Sequence, residues 1–154
     1  MDSILRRGQV VPTFTLPDTA GTPVRRTAYR DKKNLVLAFL PDAEDDGARA
    51  YLSALAQGYA ALRAETGEVL AILRGDRAAV ADAQRDLALP FPLLHDADGA
   101  VTARFLPPAA RAGVCVTDRY GELYFAAPSA STASLPPIAE IQAWLEAIDR
   151  QCAF

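Results

Sequence analysis

The segment Asn34-Leu35-Val36-Leu37-Ala38-Phe39-Leu40 constrains the fold of this chain more than any other. Beyond Asn34 it is apolar without alternation, whereas a strand with one wet face alternates, so it predicts a central strand covered on both faces. Pro41 ends the run, because proline has no amide to continue a ladder. A second buried strand is predicted over Glu68 to Leu73. Between the two, Leu52, Leu55, Tyr59 and Leu62 fall at helical spacing, Asp45 and Asp46 sit where a helix N-terminus favours acids, and Gly67 is expected to end the helix. A strand, a helix and a strand in this order form a right-handed crossover, which sets the two strands side by side and parallel.

The remaining chain is punctuated by turn residues. Residues 10–16 and Pro23 to Arg26 flank Ala20-Gly21 and read as an N-terminal hairpin. A helix over 78–88 is stopped by Pro90, Phe91 to Leu94 reads as a brief strand, and a helix over 100–106 is closed by Pro107-Pro108. Gly113 to Thr117 and Glu122 to Ala126 are strands joined through Asp118-Arg119-Tyr120-Gly121, a tight-turn sequence. After a small-residue loop over 128–134, Pro136-Pro137 opens a last helix with Ile138, Ile141, Trp144, Leu145 and Ile148 on one face. The expected class is α/β, a central mixed sheet with helices on both faces and an N-terminal β-hairpin. The length of 154 residues suits one domain, 1–154.

Sixteen basic against nineteen acidic side chains give a net charge of −3, and no basic run exceeds Arg25-Arg26 or Lys32-Lys33. Nucleic-acid binding needs a concentrated positive surface and is disfavoured. No stretch approaches the roughly 20 apolar residues that span a bilayer. The start, with Arg6-Arg7 and no apolar segment behind them, does not read as a secretory signal, so a cytoplasmic location is expected. Two cysteines, Cys115 and Cys152, with no CxxC and one histidine, do not match a zinc spacing; no metal and no cofactor is expected.

Several phrases occur in the order found in the peroxiredoxin family, also known as alkyl hydroperoxide reductase and thiol-specific antioxidant (AhpC/TSA) proteins. They are Val11-Pro12-Thr13-Phe14-Thr15-Leu16-Pro17-Asp18 with Gly21, Leu35 to Pro41, Glu68-Val69-Leu70-Ala71-Ile72, Leu89-Pro90-Phe91-Pro92-Leu93-Leu94-His95-Asp96, and Asp118 to Gly121. The likeness spans about residues 8–127, and the fourth phrase resembles the bacterioferritin-comigratory branch. The resemblance implies a thioredoxin-like fold. It also implies a segment Pro-x-x-x-Thr-x-x-Cys after the first central strand, completed by an arginine from a later strand, in which helix N-terminus and guanidinium lower the thiol pKa.

Laid on this motif, Pro41 matches the proline, Asp45 stands at the threonine position and Ala48 at the cysteine position; Gly47 matches the residue before it. A resolving cysteine five residues on would fall at Ser53. Counting back from Asp118 to Gly121, the arginine position falls on Ala112, with Arg111 one residue away, and the sequence leaves open which enters the pocket. Asp42, Glu44, Asp45 and Asp46 crowd the entrance; they read as a helix cap and solvated loop acids, with a divalent cation or a basic partner as the functional alternative. Cys115, among valines, reads as a small hydrophobe or else a relocated thiol. Cys152 reads as packed on the last helix turn or exposed by fraying, and a Cys115–Cys152 disulfide depends on distance. His95 with Asp96-Ala97-Asp98-Gly99 reads as a turn, the ligand spacing of a calcium loop being incomplete.

The expectation is a peroxiredoxin-like protein without cysteine peroxidase activity, kept as a binding or regulatory module. A protein partner at the former active-site face or a homodimer is expected, and no nucleic acid or membrane. The rival expectation is a thiol oxidoreductase using Cys115 or Cys152.

Overall fold

The structure is a computed structural model and describes residues 1–151. Its elements are β1 (Thr15–Pro17), β2 (Pro23–Arg25), β3 (Asn34–Asp42), α1 (Asp46–Ala64), β4 (Gly67–Arg74), α2 (Arg77–Asp86), β5 (Leu93–His95), α3 (Ala100–Phe105), β6 (Ala112–Thr117), β7 (Leu123–Ser129) and α4 (Ile138–Gln151). Short 3-10 turns lie at Arg26–Tyr29 and Thr132–Ser134. The five-stranded sheet has the order β5-β4-β3-β6-β7, and β1 and β2 form a separate antiparallel pair. β3, β4 and β5 run parallel, while β6 and β7 are antiparallel additions. The central β3 is thus flanked on both edges, by β4 and β6.

Alternation along β3 divides the core in two. Val36, Ala38 and Leu40 pack with Leu52, Leu55 and Leu62 of α1, Val80 of α2, and Ile141, Leu145 and Ile148 of α4. Leu35, Leu37 and Phe39 pack with Val101 and Phe105 of α3 and with Leu5, Val11, Phe14 and Leu16 of the N-terminal segment. Every one of these β3 side chains is at most 2% exposed, so both faces exclude water. Tyr51 and Tyr59 anchor α1 at its surface, their hydroxyls donating to the Pro136 carbonyl and the Glu68 carboxylate, each at 2.7 Å. Trp144 stacks on Phe125 with ring centroids 5.3 Å apart, and the Arg7 guanidinium lies over the indole.

Three boundaries depart from the sequence reading. The first strand shrinks from 10–16 to Thr15–Pro17, Val10 making only an isolated bridge to Glu122. The left-handed residue behind α1 is Thr66 (φ 59°), while Gly67 already belongs to β4. Gly67 is needed for another reason: a Cβ there would stand 2.7 Å from both Leu145 Cδ1 and the Leu62 carbonyl. β7 runs on to Ser129 through Pro128, where a loop over 128–134 was expected. As the outer strand of the sheet, β7 tolerates a residue without an amide. Among the described residues no helix is long and apolar enough to cross a membrane.

Candidate functional site

The chain leaves the sheet at Pro41. The β3–β6 pairing ends at Phe39 with Gly113, and the β3–β4 register shifts between Leu40 and Asp42 around the proline. Asp42 then holds the turn, its Oδ1 accepting from the amides of Glu44 and Asp45 at 2.9 Å each. This directs the chain into α1 at the C-terminal end of the parallel strands, the place where open α/β sheets bind ligands.

Asp45 is the N-cap of α1. Its Oδ1 accepts from the Ala48 amide at 3.0 Å and from the Thr132 hydroxyl at 3.3 Å. Its Oδ2 accepts from Nη2 of Arg111 at 3.0 Å. The Ala48 amide, then the Arg111 hydrogen bond, hold this carboxyl below the usual carboxylate range against a smaller opposing effect of burial. Of the four acids singled out in the sequence, Asp45 alone faces the cation, Asp42 serves the turn, and Glu44 and Asp46 are exposed.

The choice between Arg111 and Ala112 has a physical resolution. Ala112 shares the alternation of Val114 and Val116, is wholly buried and points into the core beneath α1 and α4. Arg111, just ahead of β6, anchors its amide on the Ser129 carbonyl at 2.8 Å and extends its side chain to Asp45. The apolar alternation of 112, 114 and 116 was the available signal. Thr132, in contrast, was missed, as nothing distinguishes it from its small polar neighbours. It lies so close to α1 that a Cβ on Gly47 would overlap its Oγ1.

Ala48 is 0% exposed and packs in the core. Ser53 is half-buried on α1. Cys115 lies on the opposite face of the sheet from Ala48, paired in register with Leu37 and Ala126 and 1% exposed. Burial pushes its thiol up to about 12. Cys152, and with it the Cys115–Cys152 pairing, lies outside the described residues.

The His95 and Asp96 turn is built from internal bonds. His95 Nε2 donates to the Gly75 carbonyl at 2.7 Å. Buried Asp96 accepts from the Val101 amide and from both the amide and hydroxyl of Thr102. Among the described residues no three His, Cys, Asp or Glu side chains are grouped to hold a metal ion.

A mixed sheet of this strand order, with α1 rising from the end of β3 and an antiparallel hairpin on the far side, defines a thioredoxin-like protein. Solved structures agree on the fold. The peroxidoxin BcpB of Mycobacterium tuberculosis superposes with a TM-score of 0.80 at 23% identity, covering 94% of this chain and 98% of its own. The bacterioferritin comigratory protein of Xanthomonas campestris gives 0.77 at 16% identity over 96% and 99%. A secreted disulfide oxidoreductase of Mycobacterium tuberculosis homologous to Escherichia coli DsbE gives 0.69 at 21% over 87% and 95%. No curated protein sequence matches this one. Residues 7–120 match the AhpC/TSA family, and the chain belongs to that family.

Proposed function

We propose that this AhpC/TSA protein is not a cysteine peroxidase and serves as a binding or regulatory module, with Ala48 standing where active relatives carry the reacting thiol. The observation that carries this reading is the Asp45–Arg111 pair over a wholly buried Ala48. A peroxidatic thiolate needs unclaimed helix amides and a guanidinium to stabilise its charge. Here a carboxylate of the chain itself takes the Ala48 amide and the guanidinium together. Any anion arriving at this point meets a charge already neutralised. A protein partner contacting the exposed Glu44, Asp46 and Arg111 around this closed centre, or a second copy of the chain, fits the reading.

The test is consumption of hydrogen peroxide with dithiothreitol as reductant. No turnover above the uncatalysed rate is expected; turnover at the rates of active family members overturns the proposal.

The alternative, a thiol oxidoreductase using Cys115 or Cys152, has less support. Burial pushes the Cys115 thiol up to about 12, which disfavours the reactive thiolate at neutral pH. Replacing each cysteine by serine separates the readings: thiol exchange that disappears in one variant favours the alternative.

A further inference from the structure

A cleft of about 330 Å³ opens at the C-terminal end of the sheet, beside the α1 head but outside the Asp45 contacts. Its volume is at the lower end of the range for small-molecule sites. Arg74 stands on one wall, and Leu106, Pro107 and Ala110 give the other side an apolar lining. Thr102 also lines it, and its hydroxyl proton is committed to Asp96.

Arg74 is the unusual member. It ends the buried strand β4, half-buried, with Nε donating to the Leu40 carbonyl at 3.4 Å and Nη2 donating to the Arg111 carbonyl. Its orientation is therefore fixed by the backbone of β3 and of the residue just ahead of β6. Yet it makes no ion pair among the described residues. The acids that act on it through space, Asp96 and Asp42, have their bonded oxygens directed to amides and the Thr102 hydroxyl. A fixed guanidinium, partly withdrawn from water and without a carboxylate, is the recognition element for a planar anion, which it binds through two parallel N–H groups or one charge-assisted bond. Asp98 on the rim, its Oδ1 accepting from the Ala100 amide at 3.0 Å, penalises a second negative charge.

We infer that this cleft binds a small monocarboxylate with an apolar tail, the carboxylate on Arg74 and the tail against Leu106, Pro107 and Ala110. The inference goes beyond the reading of the α1 head and does not depend on it.

Hexanoate is a suitable probe, with hexanol as its uncharged counterpart, followed through the amide resonances of Gly99, Ala103 and Ala110 in the isotope-labelled protein. Saturable shifts with a Kd of about a millimolar are expected for hexanoate, given the free energy that so few atoms can supply. Hexanol should bind about tenfold more weakly, and Arg74→Gln should weaken hexanoate by a similar factor. Since Arg74 also ties strands together, a second variant guards the test: Ala103→Trp, from an exposed position on α3 that lines the cleft, fills it and should abolish the shifts in a folded protein. Absence of saturable hexanoate shifts, equal affinity for hexanol, or undiminished binding to folded Ala103→Trp each overturns the inference.

Discussion

Arg111 and Arg74 are neighbours at the same end of the sheet, the guanidinium of Arg74 donating to the carbonyl of Arg111, but the two cations are in opposite situations. Arg111 is more than half exposed and is matched by Asp45, which also caps α1. Arg74 is half-buried, held by two carbonyls, and matched by no carboxylate. Ordinary surface economy would give the reverse, since an exposed arginine needs no partner and a desolvated one does. The contrast teaches that the α1 head is closed by an ion pair of the chain itself, while Arg74 in the cleft beside it is tied to carbonyls and feels Asp96 and Asp42 only through space. One carboxylate, that of Asp45, engages both the first turn of α1 and the guanidinium of Arg111.

The contrast breaks most visibly at Asp45. Asp45→Ala removes the cap, the ion pair and the Thr132 contact together, and a stability loss of about 2 kcal/mol is expected from the upper range of cap deletions. Urea unfolding measures it; a loss within error would mean that the Asp45 contacts contribute nothing. Asp45→Asn keeps an oxygen to cap α1 but loses the charge, so its cost should stay under about 1 kcal/mol, the pair being partly exposed.

The same pair sets a pH dependence. The Asp45 carboxyl is held below its ordinary value in the folded chain, first by the Ala48 amide and then by Arg111, so the stabilisation is fully present above the unfolded value of about 3.9. It is lost as pH falls through the lower folded value. The advantage of the unaltered protein over Asp45→Asn should therefore be constant from neutral pH down to mildly acid conditions and shrink only below about pH 3.9. An advantage that grows on acidification would reverse the assigned sign.

How far the sequence displayed these features depends on what each signal reports. β3 and β4 were legible because double burial leaves Leu35 to Leu40 and Val69 to Leu73 wholly apolar. Pro128 misled because its tolerance depends on β7 being the outer strand, a fact of topology rather than of local chemistry. Gly67 was read as a helix stop, while its real constraint is the approach of Leu145 from a helix more than seventy residues later. At the site, Pro41 and Asp45 announced themselves through ladder termination and capping. Thr132 carried no local signal, because its role exists only once α1 and the turn before α4 meet. Arg74 had one that went unused: a cation closing an apolar run at the carboxyl end of a parallel strand.

Ala48→Cys sharpens the comparison by its expected lack of effect. The new thiol would sit where Ala48 is wholly buried, with the amide of residue 48 already donating to Asp45 and the guanidinium already paired. Burial disfavours a thiolate, and the two groups able to oppose that are taken. Its pKa should stand at or above the free value of about 8.5, and no peroxide turnover is expected of the variant. Adding Asp45→Thr frees Arg111 and removes the competing carboxylate, so the double variant should titrate at lower pH than the single one. Titration with a disulfide reagent reads both. A strongly depressed pKa in the single variant would show that Asp45 leaves the α1 head electropositive, and the distinction drawn between the two arginines would fail.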